Sequence, residues 1–137
     1  MCPNSLSRFA PLTVLFVDDD PTLRSIVRSM LERLGFQTMI ADHGVHAIQM
    51  VLNENPLFHL VISDFTMPHM NGVETLTVLQ SLRPGLKAIL CSGNTEQDCM
   101  QGKTLKDCVF LAKPFGLQDL DAAVNQVLGF DFQVPRI

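Results

Sequence analysis

The 137-residue sequence has no CxxC pair, no histidine at zinc-ligand spacing from a cysteine, no dense run of Lys or Arg, and no apolar segment long enough to cross a bilayer. Each absence removes a class of function. Without paired thiols or a Cys/His grid there is no disulfide framework or structural zinc site, and Cys2, Cys91, Cys99 and Cys108 read as reduced thiols. Ten Lys and Arg against fourteen Asp and Glu give a net charge of −4, so no direct nucleic-acid partner is expected. The apolar run at 12–17 is too short for a signal-peptide core or a membrane span and leads into three aspartates. A cytoplasmic protein with no membrane partner is therefore expected. The histidines are scattered: His43, His46 and His59 read as solvated or hydrogen-bonded, and His69 lies in a loop where it could tune a site.

What is present is core-forming material in a regular order. Hydrophobic residues make up 47% of the chain, enough for one domain, expected over 12–128 between tails at 1–11 and 129–137. Strands are expected at 12–17, 36–40, 58–63, 86–91 and 109–112. Between them lie helical stripes. Leu23, Ile26, Val27, Met30, Leu31 and Leu34 mark the first, closed by Gly35; Val45, Ile48, Val51 and Leu52 mark the second, ended before Pro56. Val73, Leu76 and Leu79 mark the third, and Leu120, Ala123, Val124, Val127 and Leu128 the last. The helical pattern at 94–105 is the weakest, interrupted by Gly102, and implies low local stability. Phe130, Phe132 and Val134 in the final tail either dock on the body or lead towards something beyond it.

Five strands alternating with five helices predict a doubly wound α/β sheet, and the continuous apolar strands predict that it is parallel and covered on both faces. Functional residues of such sheets lie beyond the carboxyl ends of the strands. Asp18 and Asp19 follow the first strand, Asp64 the third, Ser92 the fourth and Lys113 the fifth. Three carboxylates gathered in one crevice require a cation, and hard oxygen ligands suit Mg²⁺. Lys113 and Ser92 add a charge and a donor suited to phosphoryl oxygens. The chemistry predicted is phosphoryl transfer, with a carboxylate nucleophile forming an acyl phosphate.

VLFVDDDPTLR, LVISDFTMPHMNG, LCSGN and FLAKPF, in this order and spacing, resemble the CheY-like receiver domain of two-component response regulators over roughly 13–128. The resemblance implies a flavodoxin-like sheet of order 2-1-3-4-5 and a phosphoacceptor, Asp64, served by a histidine kinase or a histidine phosphotransfer protein. It implies Mg²⁺ held by Asp18, Asp19, Asp64 and the backbone carbonyl of Thr66. Ser92 and Phe110 would be the switch pair, Lys113 the phosphate contact, and Lys113-Pro114 a cis bond that sequence alone predicts to be trans. Thr66 and Asn94 occupy the positions that tune phosphate lifetime. The switched face would be that of helix 4, strand 5 and helix 5, with phosphorylation-dependent homodimerisation as a further expectation.

Two departures stand away from the site: Lys106-Asp107-Cys108 replaces a frequent Gly-Ala, and His59 stands where an acid is frequent. A second reading stays open at this point. Asp18-Asp19-Asp20-Pro21-Thr22-Leu23 also resembles the opening of haloacid-dehalogenase-type phosphatases, with Asp18 as nucleophile and Asp20 as acid/base. A third is a degenerate receiver acting only as a binding module. The chain is expected to be either a receiver that signals by docking or one cut from a hybrid kinase or longer regulator.

Overall fold

The computed structural model describes residues 12–129. Along the chain run β1 (Thr13–Val17), α1 (Pro21–Arg33), β2 (Gln37–Ala41), α2 (Gly44–Glu54), β3 (Leu60–Asp64), α3 (Gly72–Leu82), β4 (Lys87–Ser92), α4 (Glu96–Met100), β5 (Cys108–Ala112) and α5 (Leu117–Leu128). All strand pairs are parallel and the order is β2-β1-β3-β4-β5. This is the doubly wound, flavodoxin-like sheet expected.

Alternation along each strand sorts consecutive side chains into two cores. Leu15, Val17, Val61, Ala88 and Leu90 face α2 and α3, meeting Ala47, Val51, Val73, Leu76 and Leu79. Val14, Phe16, Leu60, Ile62 and Ile89 face α1 and α5, meeting Val27, Leu31, Leu120, Ala123 and Val124. All five residues of β3 are buried, as a central strand covered on both faces requires. Cys91 and Cys99 are buried free thiols and Cys108 is a half-buried one, while Cys2 lies outside the described residues.

Local chemistry sets the element ends. Asp20 caps α1, accepting the N–H groups of Thr22 and Leu23, and Pro21 occupies the first helical position. Asn71 and Glu74 form a reciprocal capping box on α3. His43 Nδ1 accepts the His46 N–H at the start of α2, His46 pairs with Asp42, and His59 Nδ1 accepts the Thr13 N–H at 3.0 Å. The main departure is α4, expected over 94–105 but only five residues long. Gln101 and Gly102, at φ 49° and 82°, are both left-handed, and two such residues in succession end the helix.

Gly72 is required where α3 starts against the end of β3. A Cβ there would collide with the Asp64 carbonyl oxygen and stand 2.7 Å from Leu90 Cδ1 and 2.9 Å from Phe65 Cα. In an open helix, Gly→Ala stabilises by roughly 0.5–1 kcal/mol. Here overpacking, typically about 1–3 kcal/mol, outweighs that gain. Gly72→Ala is therefore expected to lower stability by about 1–2 kcal/mol in denaturant titration, and a variant as stable as wild type would show that the close approach is not constraining.

Candidate functional site

Strands β1, β3, β4 and β5 finish at one edge of the sheet, and each brings a polar residue there. Asp18 and Asp19 follow β1, Asp64 ends β3, Ser92 ends β4 and Lys113 follows β5. Main-chain hydrogen bonds carry the register past the strand ends. Asp18 N–H donates to Ala41 O at 3.2 Å, Phe65 N–H to Cys91 O at 2.8 Å, and Lys113 N–H to Ser92 O at 2.8 Å. The site residues are thus placed by backbone geometry, before their side chains interact.

Lys113 Nζ lies 2.6 Å from Asp64 Oδ1 and 4.0 Å from Asp18 Oδ2. Carboxylate oxygens of Asp18, Asp19 and Asp64 all lie within 4.8 Å of one another. Asp18 and Asp64 are only 1% and 6% exposed, whereas Asp19 is open to solvent. Asp18 Oδ1 accepts the Asp20 N–H at 2.9 Å, and its backbone carbonyl accepts from Arg24 Nη1 at 2.9 Å. Its second carboxylate oxygen, Oδ2, is buried and finds no hydrogen-bond partner among the described residues.

The electrostatics follow from this crowding. Burial raises the Asp18 carboxyl to about 6; the Asp20 N–H and Lys113 oppose that rise, and the charge of Asp64 adds to it. Burial also raises Asp64, against the hydrogen bond and charge of Lys113. On Lys113 burial acts against the ammonium, but its bond to Asp64 and the neighbouring carboxylates outweigh it, and its pKa is raised. One ammonium among three carboxylates leaves the crevice short of positive charge. A buried carboxylate oxygen without a donor, among hard oxygen ligands only, fits a divalent cation of the Mg²⁺ type.

The other expected residues surround this centre. Ser92 is buried, and its Oγ accepts the Asn94 N–H at 2.9 Å, leaving the hydroxyl proton free to be donated elsewhere. Thr66 and Asn94 are exposed in the loops that follow β3 and β4. The Lys113-Pro114 bond is cis. Phe110 is half-buried and lines a separate cavity of about 510 Å³ beneath α4. His69, at φ 71°, is the middle residue of a tight turn closed by Met70 N–H to Pro68 O at 2.8 Å. Three supporting residues carry more of the site than the sequence reading gave them: Asp20, Arg24 and Gly72. Asp20-Pro21 is a legible helix-start signature, but the reach of Arg24 and the tightness at Gly72 depend on tertiary packing.

The family profile described as response regulator receiver domain matches residues 14–125, which include Asp18, Asp19, Asp64, Ser92 and Lys113. The chain belongs to the response regulator receiver domain family. This receiver is 30% identical over 116 residues to sporulation initiation phosphotransferase F of Bacillus subtilis, covering 84% of this chain and 92% of that protein. It is 36% identical over 118 residues to the two-component response regulator ORR24 of Oryza sativa, covering 85% of this chain but 19% of that longer protein. The crystal structure of a response regulator receiver protein from Sinorhizobium medicae superposes on it with a TM-score of 0.78 at 26% identity, covering 88% of this chain and 96% of that one.

A raised acid pKa has a defined sign in stability. The ionised form of Asp18 is disfavoured by the fold, so the cost is absent below about pH 4 and grows as pH rises towards 6. Without divalent cations, Asp18→Asn is expected to stabilise the receiver at pH 7 by on the order of 2 kcal/mol, with little gain at pH 4. Thermal denaturation at both pH values measures this. Equal effects at the two would contradict the electrostatic account.

Proposed function

We propose that this receiver accepts a phosphoryl group on Asp64 from a phosphohistidine of a histidine kinase or histidine phosphotransfer protein, and relays its presence through the face of α4, β5 and α5. The observation that carries the reading is the Asp64 carboxylate, bonded to an ammonium at 2.6 Å, with two further carboxylates alongside. A structural ion pair alone does not account for the other two carboxylates, or for the unpartnered oxygen of Asp18.

Lys113 favours the ionised form of Asp64, as a nucleophile requires. An Asp64 oxygen attacks phosphorus, the P–N bond breaks, and its electron pair stays on the imidazole nitrogen, leaving an acyl phosphate on Asp64. Asp18, Asp19, Asp64 and the Thr66 carbonyl are the groups that would hold Mg²⁺, which supplies charge neutralisation at the phosphoryl oxygens when bound. Lys113 is placed to meet one phosphoryl oxygen, and Ser92 retains a hydroxyl proton for another. Movement of Ser92 towards the phosphoryl group frees space into which Phe110 can bury, biasing an existing equilibrium. The receiver is a phosphoacceptor that loads and unloads itself, with Thr66 and Asn94 setting the lifetime, and not a turnover enzyme.

No helix among the described residues is long and apolar enough to cross a membrane, and this reading places the receiver in the cytoplasm. The reading based on Asp18 as a phosphatase nucleophile loses its acid/base, because Asp20 is occupied in capping α1.

Intact-mass measurement with a small-molecule phosphodonor and Mg²⁺ tests the proposal. Wild type is expected to gain one phosphoryl adduct, mapped to Asp64, and Asp64→Asn to gain none. An adduct on Asp18 that survives Asp64→Asn would restore the phosphatase reading. No adduct in any chain would leave a binding module. Sedimentation of the phosphorylated chain then tests homodimerisation through the same face, and an unchanged monomer would remove that element.

A further inference from the structure

The loop that joins β1 to α1 carries two of the three carboxylates, and its backbone is held one peptide at a time. The Asp18 N–H, from the peptide before Asp18, donates to Ala41 O on β2 at 3.2 Å. The next peptide, between Asp18 and Asp19, is held by Arg24, whose Nη1 donates to the Asp18 carbonyl at 2.9 Å. The peptide between Asp19 and Asp20 is held by the Asp18 carboxylate, which accepts the Asp20 N–H at 2.9 Å. The last, between Asp20 and Pro21, is held by Arg24 again, its own N–H donating to Asp20 O at 2.9 Å as the first turn of α1 closes. One half-buried residue of α1 thus fixes the loop at two points.

Asp19 depends on these holds more than its neighbours do. Its side chain is open to solvent and makes no hydrogen bond or ion pair among the described residues. Its carboxylate therefore lies where the two flanking peptides aim it. The hold on the second of those peptides comes from Asp18, a carboxylate that a cation bound in the cluster would draw on. The hold on the first uses no carboxylate. Arg24 is always charged and donates to a neutral carbonyl, so it fixes the Asp18–Asp19 peptide whatever ion the carboxylates meet. Groups that orient metal ligands from outside the coordination sphere typically contribute roughly 10- to 100-fold to metal affinity.

We infer that Arg24 is a positioning residue for the cation site: its guanidinium fixes the Asp18–Asp19 peptide and so preorganises Asp19 as a ligand for a divalent cation. This rests on the reading that the cluster of Asp18, Asp19 and Asp64 binds Mg²⁺. Charge alone acts with the opposite sign. A guanidinium near a cation site repels the cation, so deleting it would tighten binding, whereas losing a positioning bond weakens it. The direction of the effect separates the two roles.

Calorimetric titration of the full chain with Mg²⁺ at pH 7 tests this, after denaturant titration without Mg²⁺ has confirmed that each variant is folded. Arg24→Met, which removes the donors, is expected to bind Mg²⁺ about tenfold more weakly than wild type. Arg24→Lys, which keeps the charge and a compact donor but not the planar fork, is expected to lie between them. Arg28→Met removes the same charge one turn further along α1, where the side chain meets Thr38 and Glu32, and is expected to bind as wild type. In adduct formation with a small-molecule phosphodonor, the Mg²⁺ concentration for half-maximal rate is expected to rise in Arg24→Met by the same factor as the dissociation constant, with the rate at saturating Mg²⁺ unchanged. A merely structural role would lower the unfolding midpoint and leave the Mg²⁺ affinity of the folded chain where it was. Binding by Arg24→Met as tight as wild type, or tighter, would overturn the proposal. So would equal weakening in Arg28→Met, because any lost charge on α1 would then suffice. A wild type that takes up no Mg²⁺ would remove the cation reading itself, and the positioning role with it.

Discussion

The hydrogen bond from Lys113 Nζ to Asp64 Oδ1, at 2.6 Å, makes it tolerable for two nearly sealed carboxylates to share one end of a parallel sheet. Asp18 and Asp64 are each pushed towards the neutral form by burial; the charge of Asp64 adds to the rise of Asp18, and that of Asp19 to the rise of Asp64. Removing either acid relieves the crowding of negative charge, whereas removing the ammonium would leave both buried carboxylates without an ion-pair partner among the described residues. The compensation is partial: Oδ2 of Asp18 lies 4.0 Å from Lys113 Nζ, beyond hydrogen-bonding distance, and has no hydrogen-bond partner among the described residues. Such an incomplete balance costs stability in the resting receiver and gains affinity for whatever cation or phosphoryl group completes it.

The sheet keeps this arrangement from relaxing. Main-chain hydrogen bonds to the neighbouring strand hold Asp18, Lys113 and the residue after Asp64, so the two buried carboxylates cannot separate without breaking the sheet edge. Gly72 brings α3 against the Asp64 carbonyl from the other direction. By contrast α4 is brief, left-handed at its end, and stands over a cavity beside Phe110. A rigid centre next to an underpacked flank is the distribution of stability that a switch requires.

Much of this was legible in the sequence because a parallel sheet writes a simple code. Apolar runs such as Val14–Val17 and Leu60–Ile62 end abruptly at polar residues, and in this topology those residues share one edge. Asp18, Asp64, Ser92 and Lys113 could therefore be grouped without coordinates. The strand order 2-1-3-4-5 came with the family resemblance, since periodicity alone does not rank strands. Other features were not legible for physical reasons. Gly102 announced a weak helix, but its end at Met100 depends on the left-handed turn of Gln101 as well. The need for glycine at 44 and 72 lies in atoms from other elements, Thr75 and Met70 in one case and the Asp64 backbone and Leu90 in the other. The unpartnered oxygen of Asp18 depends on side-chain placement in three loops, which local patterns do not encode.

Calorimetric unfolding of wild type and Asp18→Asn across a Mg²⁺ titration at neutral pH tests the charge imbalance most directly. The account predicts that Mg²⁺ raises the Tm of wild type progressively and that most of this rise is lost in Asp18→Asn, whose crevice has already been relieved of one charge. A rise of the same size in both chains, or none in wild type, would show that the buried carboxylates are balanced by the protein alone.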